Sequence, residues 1–309
     1  MHPNRLSFEK FEVKPVPAAH AAKHSKIPRG ALWALIAIYA FARCLQIYPH
    51  GAPMLAVVTL HVAPPLLFAL IHGAKAYGAR GITVFVGICV VVGNFFENLS
   101  IRTGFPFGHY YFTGLMGPKL LDVPVLLGLA YVGMGYICWI VATAIVDGRR
   151  PNLGSSRVFT VPLVAAFVMV AWDLSLDPIW GTVLRAWVWL EGGPYFGVPI
   201  SNFFGWFLTV FILYQSFAVY LRRDRNVRSL AVSDGGLAVL FYGVSAAGNL
   251  LLTIPRPNPA VVADPTGTLW RVSDITATCA LVTIFTMGAF ALFGWIRLNG
   301  KNADQRSDQ

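Results

Sequence analysis

The sequence predicts an all-α integral membrane protein, a bundle of about eight transmembrane helices with both termini in the cytoplasm. Three observations lead to this prediction. Of the 309 residues, 56% are hydrophobic and only 12% are charged, whereas about a quarter of the residues in a soluble domain are charged. Apolar runs long enough to cross a bilayer follow one another from residue 31 to residue 297. Lys and Arg concentrate in alternate connections between these runs.

The predicted spans are 31–47, 53–72, 81–100, 123–146, 158–176, 199–221, 230–254 and 273–297. The first is short and contains Arg43; the second contains His61 and a Pro64-Pro65 pair, which we expect to kink it. The basic segment 1–30 and the segment 298–309 are expected to be cytoplasmic tails of one helical domain over 31–297. No small-residue cleavage site follows the first apolar run, which indicates an uncleaved first helix.

The distribution of positive charge sets the predicted orientation. With the N-terminus inside, 18 of the 24 Lys and Arg residues fall on the cytoplasmic side and five on the other. This pattern suits a bacterial inner membrane, and it explains the net charge of +10 without a nucleic acid partner. The long outer loops, about 101–122, 177–198 and 255–272, contain the unusual polar residues. We therefore expect the functional site on the non-cytoplasmic side.

Glu97 is the first candidate catalytic residue, because a carboxylate at the centre of a membrane helix costs about 2.5–3.5 kcal/mol and usually lines a polar cavity. The alternative is an interfacial Glu paired with Arg102. The Gly- and Pro-rich run that follows suggests a shaped re-entrant turn, although an aromatic belt at the membrane interface would have similar composition. From this run we expect substrate contacts from Phe107, His109, Tyr110 and Tyr111.

Asp173 and Asp177 are the second candidate catalytic group. They are four residues apart, so on a helix they share one face, and Pro178 ends or kinks that helix. Two stacked carboxylates repel when both are ionised, so one of them is expected to hold a proton that it can donate. The alternative is structural: Asp177 would pair with Arg185, and Asp173 would hydrogen-bond to a neighbouring helix.

Aromatic side chains surround these acids in the sequence and suit an apolar or cationic partner, since ring faces stabilise positive charge. An interfacial belt explains any single Trp equally well. The further substrate contacts predicted are Trp172, Trp180, Trp187, Trp189, Tyr195, Phe196, Asn202 and Trp206. Arg43 and His61 are buried polar candidates for either packing or function, and Asn249 and Asp274 are further candidates to face the cavity.

No motif for a cofactor or a metal is present. The chain has no Walker loop, dinucleotide fingerprint, His-Glu-x-x-His or Asp-rich diphosphate motif. Its four cysteines, Cys44, Cys89, Cys138 and Cys279, fall in apolar runs without a Cys-x-x-Cys pair, and we expect reduced core residues. No cofactor and no metal ion are therefore expected.

Taken together, the polar motifs over about 80–220 resemble the carotenoid biosynthesis membrane family, which includes carotenoid hydratases of the bisanhydrobacterioruberin hydratase type. The motifs are Glu97, Gly108-His109-Tyr110-Tyr111, Val123-Pro124, Asp173-x-x-x-Asp177-Pro178, Trp187-x-Trp189, Tyr195-Phe196-Gly197-Val198-Pro199 and Asn202-x-x-Gly205-Trp206. The resemblance implies cofactor-free hydration of a terminal double bond of an acyclic isoprenoid. Members of this family often carry Trp after the Val-Pro element where this chain has Tyr131, which leaves the substrate open.

The chemistry of the residues suggests a mechanism. A neutral carboxylic acid, Asp173, would protonate the alkene, aromatic faces would stabilise the tertiary cation, and Asp177 or Glu97 would deprotonate the attacking water. The long apolar substrate would enter laterally from the bilayer. The same first step without water would make a terpenoid cyclase. A proton-coupled transporter or lipid-binding membrane protein is the alternative from another class.

Overall fold

The computed structural model describes residues 29–47, 53–147, 157–223, 232–254 and 260–307. Its α-helices are α1 (Arg29–Leu45), α2 (Met54–Thr103), α3 (Val125–Asp147), α4 (Arg157–Leu174), α5 (Ile200–Arg223), α6 (Val232–Leu250), α7 (Val272–Thr283) and α8 (Ala289–Ser307). Six helical stretches in the described residues are long and apolar enough to cross a membrane. The predicted all-α membrane bundle is confirmed, while the count of eight spans and the cytoplasmic termini stay predictions.

Helix α2 contains two of the predicted spans, because it folds back at Gly78. Tyr136 of α3 lies 5.6 Å from His72 and 5.8 Å from Phe85, measured between ring centroids. In a straight helix those two residues would be about 20 Å apart. Gly78 has φ 75° and ψ 168°, a conformation that glycine adopts readily. Residues 54–77 form the first arm of α2, and residues 79–103 form the second.

The predicted kink at the Pro64-Pro65 pair stays a prediction, and the structure adds a break in α2 that was not predicted. Both prolines lie inside α2 with helical backbone angles, and the break in helical geometry falls at Gly78. Each proline removes one backbone donor, but packing against α3 supports the helix there: Gly133 lies against the backbone of Pro65 and Leu66. The break instead occurs at the residue that can adopt a positive φ.

Helix α3 is the centre of the bundle and packs against α2, α4, α6 and α8. Polar side chains also join it to its neighbours: Trp139 donates a hydrogen bond from Nε1 to the Tyr77 hydroxyl at 2.9 Å, and the Tyr214 hydroxyl donates to the Gly135 carbonyl at 3.0 Å. Tyr131, Tyr136 and Trp139 are almost fully buried. Any change in the spacing of α2 and α3 therefore disturbs the core of the molecule.

We expect Gly133→Ala to destabilise the protein by about 1–3 kcal/mol, because an added methyl group overpacks a tight contact. Its Cβ would lie 2.7 Å from the Leu66 nitrogen and 2.9 Å from the Pro65 carbonyl carbon, which are backbone atoms. Thermal unfolding in detergent would show a lower Tm. Gly87→Ala is the matched control, since nothing lies within 4 Å of its added Cβ. Equal Tm values for the two variants would contradict close packing of α2 and α3.

Short strands connect the helices at the end of the bundle that we predict to face outward. The three antiparallel pairs are β1 (Tyr110–Phe112) with β4 (Trp187–Trp189), β2 (Lys119–Leu120) with β3 (Val123–Pro124), and β5 (Val261–Ala263) with β6 (Leu269–Arg271). In the first pair, Tyr110 lies opposite Trp189 and Phe112 opposite Trp187. This pairing joins the two aromatic segments noted in the sequence and places the acids beneath them.

Three smaller predictions differ from the structure or fall outside it. The last helix continues to Ser307, past the end of the last predicted span at residue 297, while the predicted domain bounds stay a prediction. Cys44 is exposed, whereas Cys89, Cys138 and Cys279 are buried and reduced as predicted. The predicted tail over 1–30 lies outside the described residues except for its last two positions.

Candidate active site

Three carboxyl groups line one buried cavity. Glu97 comes from the second arm of α2, Asp173 from the last turn of α4, and Asp177 from the segment just after it; their exposed fractions are 3%, 2% and 1%. Helix α4 ends at Leu174, and the chain resumes at Pro178 as a short π-helical turn. The two aspartates still lie close together, because one amide of Asn202 bonds both. Its Nδ2 donates to Asp173 Oδ2 at 3.1 Å and to Asp177 Oδ2 at 2.5 Å.

Hydroxyl and indole donors bind the other carboxylate oxygens. Glu97 accepts hydrogen bonds from the Tyr110 hydroxyl and, at 2.7 Å, from the Tyr131 hydroxyl. Asp177 Oδ1 accepts from Trp187 Nε1 at 2.7 Å. Burial and the neighbouring Glu97 carboxyl raise the pKa of Tyr110 well above its ordinary value, so this phenol remains a donor. Neutral donors, rather than cations, therefore hold the acids.

The two arginines that could have neutralised these acids bind elsewhere. Arg102 Nη2 lies 3.3 Å from Asp122 Oδ2, and Arg185 Nη2 donates a hydrogen bond to the Ala263 carbonyl oxygen at 2.9 Å. In the part of the chain that the structure describes, no Lys, Arg or His forms an ion pair with Glu97, Asp173 or Asp177. The expected pairings of Glu97 with Arg102 and of Asp177 with Arg185 are therefore contradicted. The other part of the structural alternative is confirmed, because Asp173 accepts a hydrogen bond from Asn202 of the neighbouring helix α5.

The cavity has room for a water molecule. It measures about 290 Å³ including its opening, and one water occupies about 30 Å³ in the liquid. Trp189 Nε1 is buried and has no hydrogen-bond partner among the described residues. A buried indole N–H beside three carboxyls suits a bound polar molecule.

Half of the predicted substrate contacts line this acid cavity. These residues are Phe107, Tyr110, Trp187, Trp189, Asn202 and Trp206. The structure adds Phe112 and Leu127 to the lining, and it adds Tyr131 as a donor to Glu97 that stacks on Trp206 with ring centroids 4.8 Å apart. These three could not be recognised from the sequence as lining residues, because each lies in an apolar or aromatic run typical of a membrane core. Tyr131 was marked only by the resemblance to the family.

The structure places His109 and Tyr111 outside the cavity. Side chains alternate along β1, so Tyr110 is buried and Tyr111 is 48% exposed. His109 precedes the strand at the surface, and its Nδ1 lies 2.7 Å from Glu191 Oε1. Neither side chain lines this cavity, because the strand register directs only every second side chain inward, and their role as substrate contacts stays a prediction.

Tyr195 and Phe196 also lie apart from the lining of the acid cavity. The Tyr195 hydroxyl donates to the Leu174 carbonyl at 3.0 Å, which ties its loop to the end of α4. Phe196 packs on Trp270 of β6, with ring centroids 5.4 Å apart. Both residues thus shape the segment above the cavity.

Two further cavities adjoin the acid cavity in a row, each sharing lining residues with the one before it. The middle cavity, about 580 Å³, contains Arg43, His61, Trp172 and Trp180 among mostly apolar side chains, and it shares Leu127 and Trp187 with the acid cavity. The distal cavity, about 660 Å³, shares His61 and Trp180 with the middle one. Both cavities are lined mostly by apolar side chains, as sites for apolar ligands usually are. The row is a suitable path for a long hydrocarbon chain that ends at the carboxyls.

The β5–β6 hairpin covers the 192–197 loop and is stabilised by Asp264. Asp264 Oδ1 accepts from the backbone nitrogens of Thr266 and Thr268, each at 3.0 Å, and Oδ2 accepts from Trp270 Nε1 at 3.0 Å. Burial by itself raises the pKa of this carboxyl, but the hydrogen bonds outweigh burial and hold the pKa below its ordinary value.

Asp264→Asn is expected to lower stability by about 1 kcal/mol at pH 7, because a neutral amide accepts these hydrogen bonds more weakly. The folded-state pKa is lower than the unfolded value of about 3.9, so the carboxylate stabilises the protein above that value. This stability is lost as the pH falls through the folded-state pKa. Tm measured from pH 7 to pH 3 should differ between wild type and variant at neutral pH and converge in acid. The exposed Asp274→Asn is the control, and a pH-independent difference would refute the explanation.

Comparison with known proteins relates the chain to one family. The family model for carotenoid biosynthesis proteins matches residues 52–268, more than half of the chain. The chain is 30% identical over 115 residues to the bisanhydrobacterioruberin hydratase of Haloarcula japonica, an alignment that covers 37% of this chain and 36% of that protein. The matched segment thus spans about a third of the relative's length. No solved structure matches the chain.

Proposed function

The chain belongs to the carotenoid biosynthesis protein family, and we propose that it is a membrane-embedded hydratase acting on a terminal double bond of an acyclic carotenoid or related isoprenoid. The main support is the cavity in which Glu97, Asp173 and Asp177 meet beside space for one water. The hydratase name of the Haloarcula relative agrees with this chemistry. The row of apolar cavities suits a long hydrocarbon substrate.

Asp173 is the proposed proton donor. Among the described residues, Glu97 and Asp177 each accept two hydrogen bonds from nearby donors, whereas Asp173 accepts one, at 3.1 Å from Asn202. Donated hydrogen bonds stabilise the ionised form of a carboxyl group. Of the three acids, Asp173 is therefore the one best suited to hold a proton. Transfer of that proton to the less substituted alkene carbon leaves a tertiary carbocation and an Asp173 carboxylate.

The aromatic lining stabilises the carbocation. Tyr110, Trp187, Trp189 and Trp206 line the cavity together with the acids, and ring faces attract a cation within about 6 Å of the centroid. The nearby carboxylates add favourable charge in a site of low dielectric. Both contributions act on the intermediate and hardly on the neutral alkene, which is the requirement for catalysis.

Water capture completes the reaction. A water in the open space attacks the cation, a C–O bond forms, and Asp177 or Glu97 takes one proton from that water. The proton then returns to Asp173, for which the Asn202 amide provides a short path by holding Asp173 and Asp177 together. The net change is one water added to one double bond. These steps use only protons and water, so hydration needs no cofactor, and the site lies on the non-cytoplasmic side by charge distribution.

The function is tested by producing the protein in a host that makes acyclic carotenoids and analysing the lipid extract by mass spectrometry. A product heavier than the substrate by one water is expected, and the Asp173→Asn variant should yield far less of it. A product of unchanged mass, an isomer of the substrate, would show that the protein is a cyclase and not a hydratase. Unchanged lipids across a broad isoprenoid panel would refute an enzyme of this class and favour transport or lipid binding.

A further inference from the structure

Arg43 is a buried cation without a matching anion. It lies near the end of α1 and is 4% exposed, and one of its Nη groups donates to Asn249 Oδ1. Among the described residues, no carboxylate forms an ion pair with Arg43, and its Nε has no hydrogen-bond partner. A charged group inside a membrane bundle is expensive, so it usually marks a ligand or ion site. Arg43 takes no part in the proposed hydration.

His61 contributes an unused acceptor to the same cavity. Its Nδ1 lies 2.7 Å from the Val57 carbonyl oxygen, and since a carbonyl can only accept, Nδ1 carries a hydrogen. In the neutral ring Nε2 is then an acceptor. Nε2 is buried and has no partner within the described parts of the chain.

The middle cavity thus combines one strong donor and one acceptor in an otherwise apolar lining. A hydroxyl group satisfies both, because its oxygen accepts from Arg43 and its hydrogen is donated to His61 Nε2. A carbonyl or carboxylate would leave Nε2 unpaired, and a cation would be repelled by Arg43. The remaining lining, which includes Val62, Pro65, Met134 and Leu176, suits a hydrocarbon chain on either side of that hydroxyl.

We propose that Arg43 and His61 form a binding site for a hydroxyl group on the isoprenoid chain. The inference rests on the proposed function for the identity of the chain, since it places the hydroxyl in the cavity next to the carboxyls. It implies that the protein prefers an isoprenoid that already contains one alcohol over the plain hydrocarbon. This preference comes from residues that do not contact the reacting double bond.

The test measures binding rather than turnover. Purified protein in nanodiscs is titrated with an acyclic polyene hydrocarbon and with the same polyene bearing one hydroxyl group, and quenching of tryptophan fluorescence reports occupancy, since Trp172, Trp180 and Trp187 line the cavity. Wild type is expected to bind the alcohol at least about tenfold more tightly. Arg43→Met and His61→Phe should each reduce that preference to about twofold or less, with hydrocarbon affinity unchanged.

Arg102→Met is the matched control, because it removes an exposed arginine and should leave the preference intact. Equal affinity of wild type for the two polyenes, or a preference that survives in both variants, would overturn the proposal. Because binding needs no catalysis, the two proposals fail separately. Selective binding without a hydrated product would refute only the hydratase, and hydration without selectivity would refute only the hydroxyl site.

Discussion

Replacing Asp173 by Asn is expected to lower the rate of hydration by about 10³-fold, within the range that general acids contribute. The amide preserves the size of the side chain, but it has no acidic proton to transfer to the alkene. Tyr110 and Trp187 donate hydrogen bonds to Glu97 and Asp177, respectively. Neither of those two acids is therefore as well suited as Asp173 to hold a proton that it can transfer. The measurement is the amount of hydrated product per unit of protein over time, in membranes supplied with the substrate.

Asp122→Asn is the control for that variant, since it removes an exposed carboxylate that pairs with Arg102. It should retain wild-type activity. If Asp173→Asn hydrates at the wild-type rate, the donor has been assigned to the wrong acid. Asp177→Asn and Glu97→Gln would then identify it, because the variant without the true donor should show the largest loss.

Asn202→Leu is expected to lower kcat by about 100-fold while changing KM little, as for supporting residues around a catalytic group. Leucine keeps the approximate volume but removes the amide that bonds Asp173 and Asp177. The two carboxyls then lose their shared donor and the path for the returning proton. Loss of donors to buried acids should also lower the free energy of unfolding by about 1–3 kcal/mol.

The exposed Asn299→Leu variant controls for a change from amide to leucine, because Asn299 donates only to a carbonyl of its own helix. Steady-state kinetics and thermal unfolding separate the two expected effects of Asn202→Leu. A variant with normal kcat and reduced Tm would make Asn202 a structural residue only. A rise in KM without a change in kcat would instead indicate a role in binding.

Much of the bundle could be predicted from hydropathy, because each membrane helix needs its own apolar run. The helices α3 and α5 fall within two residues of the predicted spans at each end. The single long helix α2 could not be predicted, since the turn at Gly78 depends on packing against α3 rather than on a polar loop. The extent of α8 to Ser307 was missed because its last turns are polar.

The acids of the site were predictable because a carboxyl group in an apolar run is rare and costly. The direction in which the aromatic side chains point could not be predicted from the sequence. Tyr110 and Tyr111 are neighbours of the same type, and only the pairing of β1 with β4 decides which one faces Glu97. Tyr131 was hidden for another reason: it looks like an ordinary core residue of α3, and its partner lies 34 positions away.

The sharp turn at Gly78 has a consequence for how the protein is made. Residues 54–77 and 79–103 are joined at one residue, without a polar loop between them. We therefore expect the two arms to enter the bilayer together as a helical hairpin during synthesis, with Lys75 and Arg80 retaining the bend on the cytoplasmic side. Because Glu97 lies on the second arm, its burial is achieved only when the hairpin has entered. Insertion of this unit thus precedes any assembly of the carboxyl cavity.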